Sequence, residues 1–70
     1  MDRDIALRLD ALLMGCRGQL DMAAHYMKNN LANEEFDRYV QRVGASMAEL
    51  IEISNELHAK FPDIVPKELK

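Results

Sequence analysis

The chain has 70 residues, a formal net charge of −3 and a hydrophobic fraction of 49%. This length holds at most one small domain, and the hydrophobic content is typical of a folded domain rather than a disordered chain. A single cysteine excludes an internal disulfide, and the acidic balance does not favour nonspecific binding to polyanions. Because a monomer of this size has marginal stability, self-association is the first expectation.

The first predicted helix covers residues 2–29. Asp2 is a candidate N-cap, and Asp4 and Lys28 carry the charges that suit the two ends of the helix dipole. Asn30 is expected to take the left-handed conformation that ends many helices. The apolar residues that predict a coiled-coil-like seam recur at spacings of three and four: Ala6, Leu9, Leu13, Cys16, Leu20, Ala23 and Met27.

The second predicted helix follows the polar break KNNLANEE and covers residues 33–61. Asn33 is a candidate N-cap, and acidic residues fill the first turn. The helix must end near Phe61, because the residue before Pro62 is biased out of the α region. Its seam also repeats at spacings of three and four: Phe36, Val40, Val43, Met47, Leu50, Ser54, Leu57 and Phe61.

A loop of a few residues makes the two helices antiparallel neighbours, so residues 1–61 are predicted to form an all-α helical hairpin. Folding the chain about this loop places Cys16 opposite Met47 and Ala6 opposite Leu57.

Residues 62–70 form a proline-containing tail, extended or with one short turn starting at Pro66. We expect it to fold back on the open end of the hairpin near Ile5 and Leu57. The alternative is a docking segment for another protein. That segment would consist of Pro62, Asp63, Ile64, Val65 and Pro66.

The first helix has a second apolar face, away from the seam. A two-helix hairpin covers one side of this helix, so the second face predicts an interface. We expect two hairpins to pack as a homodimeric four-helix bundle, with a different protein partner as the alternative. Glycine in mid-helix costs about 1 kcal/mol relative to alanine, which close approach of two helices would offset. The predicted interface contains Leu7, Ala11, Met14, Gly15, Gly18 and Met22.

The reactive and potentially metal-binding side chains are interpreted as structural or surface residues. Cys16 lies in mid-helix on the predicted seam, which favours a small core residue over a nucleophile. His25 and Asp21 are spaced as a surface pair, and His58 is expected to cap the second helix. The methionines, Cys16 and His25 point to several sides of the helix, so we expect no metal site, and a metal-binding helical protein is the least favoured alternative function.

The acidic cluster at the start of the second helix suits the helix dipole, so it does not indicate catalytic carboxylates. No phosphate-binding loop or nucleophile motif occurs. We therefore expect no enzymatic activity and no cofactor. The N-terminus does not match a signal peptide, and the longest apolar run, residues 11–16, is too short to span a bilayer. The sequence predicts a cytoplasmic protein with no membrane contact, and the lone thiol fits a reducing compartment.

Basic residues are dispersed among acidic ones, so nucleic-acid binding is not the expected function. It remains the alternative, because the plasmid copy-number regulator Rop is similar in length and hairpin layout and binds RNA. A nucleic-acid regulator of this layout would gather four arginines on one face of a dimer: Arg3, Arg8, Arg38 and Arg42. The favoured interpretation is a small noncatalytic interaction module or regulator.

Overall fold

The computed structural model describes residues 1–66 and contains two long α-helices followed by a short 3-10 helix. Helix α1 covers Arg3–Asn30, helix α2 covers Asn33–Lys60, and the 3-10 helix covers Pro62–Ile64. No strand occurs among residues 1–66, which confirms the all-α class. The last four residues of the predicted tail, 67–70, lie outside the described residues.

Helix α1 begins where the sequence predicts. The Asp2 side chain accepts a hydrogen bond from the backbone N–H of Ile5 at 2.9 Å, so Asp2 is the N-cap. The predicted left-handed conformation of Asn30 is wrong, because no described residue has a positive φ. Instead α1 runs through Asn30, whose side-chain amide donates to the carbonyl of Tyr26 at 2.8 Å. The backbone N–H of the C-cap residue Leu31 donates to the carbonyl of Met27 at 2.9 Å, which satisfies a carbonyl of the last turn without a left-handed residue.

The N-cap of helix α2 lies one position before the predicted cap. Ala32, with extended backbone angles, is the N-cap and offers no side-chain hydrogen bond, so Asn33 already lies inside the helix. Glu34 and Glu35 in the first turn complement the positive end of the helix dipole. The helix ends at Lys60, two residues before Pro62, as the restriction on the residue before proline predicts.

The two helices are antiparallel along their whole length. Leu31 and Ala32 alone separate them, and Asp10 near the start of α1 contacts His58 near the end of α2. A helix of 28 residues is about 42 Å long, which accounts for the longest dimension of the molecule, 45 Å.

The seam between the helices is partly as predicted. All eight predicted seam residues of α2 are buried or half-buried. In α1, however, Cys16 is exposed, while Asp10 is buried and Arg17 is half-buried. The predicted pairing of Cys16 with Met47 is therefore wrong. The physical reason is that apolar residues cover a wider arc of α1 than one neighbouring helix can bury, and α2 packs on one side of that arc.

The buried apolar core lies at the open end of the hairpin. Among the described residues it consists of Ala6, Leu57 and Ile64. Ile64 belongs to the 3-10 helix, which folds back on the helix ends while Ile5 stays 56% exposed. A predicted short turn starting at Pro66 would run through residues 67–70 and so lies outside the described residues. The turn that the structure describes begins at Pro62, since proline suits the first position of a helical turn.

Truncating Ile64, which packs the tail against the two helices, should destabilise the hairpin. Because Ile64 is buried against Ala6 and Leu57, we expect Ile64→Ala to lower the free energy of unfolding by about 2–4 kcal/mol. Urea unfolding followed by circular dichroism measures this change. The control, Ile51→Ala, removes the same atoms from an exposed position and should cost less than half as much. Equal losses would show that the tail does not contribute to the core.

Candidate interaction surface

The hairpin leaves much of its apolar content in contact with solvent. No side chain among the described residues is both large and fully buried, and ten large apolar side chains are exposed. These are Met1, Ile5, Leu7, Leu12, Met14, Met22, Tyr26, Tyr39, Ile51 and Ile53. The accessible surface is 5442 Å², whereas a compact monomer of this mass exposes about 4,500 Å². One hairpin therefore exposes about 1,000 Å² more surface than a compact monomer of its mass.

Most of the exposed apolar side chains lie on two edges beside the seam, whereas Met22 points away from it. Leu12 and Met14 flank the seam residue Leu13, so they point about 100° to either side of it. On α2, Ile51 follows the seam residue Leu50 and lines a groove together with Met14. We call the edge with Met14 and Ile51 the groove edge, and the edge with Leu12 the opposite edge.

The groove edge is mixed in polarity. Its groove has a volume of about 330 Å³ and runs between the two helices. Charged side chains from two successive turns of α1 lie beside the apolar ones, so a partner placed here would have to desolvate them. The lining residues are Met14, Arg17, Gly18, Asp21, Met47 and Ile51.

The six residues of the predicted interface are all exposed. Leu7, Met14 and Gly18 lie on the groove edge, while the remaining three point away from the seam. A Cβ atom added to Gly15 or Gly18 would meet nothing within 4 Å, so neither glycine accommodates α2. Close approach of a second chain to these glycines stays a prediction.

A buried polar cluster near the open end of the hairpin was missed in the sequence. Asp10 and Ser54 are each 3% exposed, and the Asp10 carboxylate lies 3.0 Å from Nε2 of His58. His58 therefore binds across the seam and does not cap α2 as predicted. The Oδ1 atom of Asp10 and the hydroxyl of Ser54 have no hydrogen-bond partner. The available signal was the spacing of Ser54 and His58, which puts both on the helix face toward α1.

A second polar contact ties the tail to α1. The Arg3 guanidinium donates to the carboxylate of Asp63 in the 3-10 helix and also lies 3.5 Å from Asp4. The hydrogen bond to Asp63 and its negative charge raise the pKa of Arg3 above its ordinary value. These groups are exposed, so the contact orients the tail more than it stabilises the fold.

The remaining predicted candidates lie apart from this cluster. Cys16 and His25 are exposed, on different sides of α1. Within residues 1–66, no group of three or more histidine, cysteine or acidic side chains converges on a point where a metal could bind.

The four arginines of the nucleic-acid alternative are split in one hairpin. Arg3 and Arg8 lie at the open end, whereas Arg38 and Arg42 lie near the loop. Arg3 is engaged by Asp63, and Arg38 stacks over the ring of Tyr39 at 4.9 Å.

Neither helix in the described part of the chain is long and apolar enough to cross a membrane. Comparison with models of protein families, with curated proteins and with solved structures finds no match.

The Asp10–His58 pair can be tested by a mutant cycle. We expect His58→Leu to lower the free energy of unfolding by about 3 kcal/mol, because the buried Asp10 carboxylate loses its partner. The double variant Asp10→Leu/His58→Leu should recover most of that loss, since no buried charge remains. Urea unfolding of both variants and Asp10→Leu gives the coupling. A double variant as unstable as the sum of the two singles would contradict a direct interaction.

The glycine positions provide a further test. Because nothing lies within 4 Å of an added Cβ, Gly18→Ala should raise the free energy of unfolding by about 0.5–1 kcal/mol through helix propensity. Gly44→Ala, equally open on α2, is the matched control. Thermal unfolding at one protein concentration measures both. If Gly18→Ala alone is destabilising, Gly18 lies at a close approach between subunits.

Proposed function

We propose that this protein is a noncatalytic interaction module or regulator of the cytoplasm that works as a homodimeric four-helix bundle. The observation that supports the proposal most directly is the incomplete core. Only Ala6, Leu57 and Ile64 are buried among the apolar residues described, although apolar residues recur along the full length of both helices. A folded hairpin with this surface would associate, because exposed apolar area is the main driving force for protein association.

The amount of exposed surface fits a second copy of the chain. The excess over a compact monomer is about 1,000 Å². A stable interface of standard size buries about 800 Å² on each partner. Burial of that area would leave each chain with about 4,600 Å² exposed, close to the value for a compact monomer of its mass.

The polar groups support a structural rather than a catalytic role. Within residues 1–66 the buried polar side chains are Asp10 and Ser54, and Asp10 is engaged by His58. The exposed apolar edges, by contrast, extend along both helices. The exposed apolar surface, rather than a cluster of polar groups, is therefore the feature that supports a binding role.

Sedimentation velocity on the purified chain tests the proposal. We expect a species of twice the 8.0 kDa chain mass at micromolar concentration. The midpoint of thermal unfolding should rise with protein concentration, because association stabilises the folded state. A well-folded monomer whose midpoint does not depend on concentration would overturn the proposal.

A further inference from the structure

Between Ile5 and Met27, helix α1 carries one stripe with no polar residue in it, which we call the apolar stripe. Its members recur at spacings of three and four and lie within an arc of about 80°. They are Ile5, Leu9, Leu12, Cys16, Leu20, Ala23 and Met27. The stripe is centred on the opposite edge and only partly on the seam, so α2 covers one side of it.

The exposure of the stripe shows how much α2 leaves open. Ile5 and Leu12 are 56% and 53% exposed, and Cys16 is exposed as well. On the same edge of α2, Tyr39 and Ile53 precede the seam residues and are also exposed. Exposed apolar side chains from both helices therefore line the opposite edge along most of the hairpin.

The groove edge of α1 has a different composition. The corresponding positions there include four charged residues out of seven, of which Asp10 contacts His58 across the seam. The seven are Leu7, Asp10, Met14, Arg17, Asp21, Ala24 and Lys28. A second helix on the groove edge would bury several of these charges, whereas a helix on the apolar stripe would bury none.

From this contrast we infer that the second copy packs on the apolar stripe, with the two α1 helices antiparallel and their centre at Cys16. This inference rests on the proposed dimer and names its interface. It differs from the interface predicted from the glycines, which lies on the groove edge and beyond it.

The ends of α1 favour the antiparallel arrangement. The stripe extends equally to either side of Cys16, so a two-fold axis there overlaps the whole stripe with its copy and sets the first turn of α1 level with the partner's last turn. The opposite partial charges of the two helix dipoles then lie beside each other at both ends of the interface. A parallel arrangement would instead align the helix dipoles unfavourably.

The same two-fold axis through Cys16 sets large side chains of one copy opposite less filled surface of the other. Facing pairs become Ile5 with the partner's Met27, Leu9 with the partner's Ala23, and Leu12 with the partner's Leu20. A depression of about 440 Å³ lies at this end of α1, lined by Ile5, Leu9 and Leu12 together with the charged residues Asp2, Asp4 and Arg8. The flexible side chain of the partner's Met27 is suited to fill such an irregular depression.

Paired substitutions on the two edges test the interface. Leu12 and Met14 flank the same seam residue and are both exposed, so glutamate is accommodated at either position in one hairpin. By sedimentation equilibrium, Leu12→Glu should raise the dimer dissociation constant about a hundredfold or more, while Met14→Glu changes it less than about threefold. Circular dichroism checks that both variants stay helical.

The outcomes separate the inference from the proposal on which it rests. If Met14→Glu dissociates the dimer and Leu12→Glu does not, the interface lies on the groove edge and the inference is overturned, while the dimer stands. If the wild-type chain is monomeric, the proposed dimer itself is overturned.

The single thiol gives a measurement that needs no substitution. Cys16 is exposed in one hairpin and buried at the centre of the inferred interface. Its rate of reaction with a disulfide reagent should fall about tenfold or more as the wild-type concentration is raised through the dissociation constant. A rate that is independent of concentration while the dimer forms would overturn the inference.

Discussion

The rotation of α1 about its own axis is the constraint on which the rest of this structure depends. Asp10 is buried and must face α2 to reach His58, and with Asp10 so placed Arg17 follows onto the seam two turns later. Cys16 and Leu12 are turned outward by the same rotation. The rotation of α1 that brings the Asp10 carboxylate to the His58 imidazole therefore also exposes the most apolar side of α1.

This arrangement is costly for an isolated chain. The Oδ1 atom of Asp10 and the Ser54 hydroxyl are buried without a hydrogen-bond partner, and unsatisfied buried groups destabilise the folded state. The apolar core that offsets this cost is small and lies at one end, where Ile64 closes the hairpin. Burial of the apolar stripe in a dimer would add stabilisation along the middle of the helices, where one hairpin has little.

The tail illustrates how a short segment completes a small core. Pro62 starts a 3-10 turn that brings Ile64 onto Ala6 and Leu57, and Arg3 holds Asp63 from the other side. With Ile64 buried, residues 62–64 pack as part of the hairpin, and a docking role for this segment would require that the contact opens.

The sequence by itself determined the two helices, their ends to within about one residue, the antiparallel hairpin and the seam of α2. Local signals were sufficient there, since Asp2 caps its own helix, Pro62 limits α2, and the seam of α2 lies on a face with clear amphipathic contrast. The contact of Asp10 with His58, the exposure of Cys16 and the position of the tail's turn were decided only by the tertiary structure. Helix α1 is apolar around much of its circumference, so periodicity alone leaves its rotation open, and a contact between residues 48 positions apart settles it.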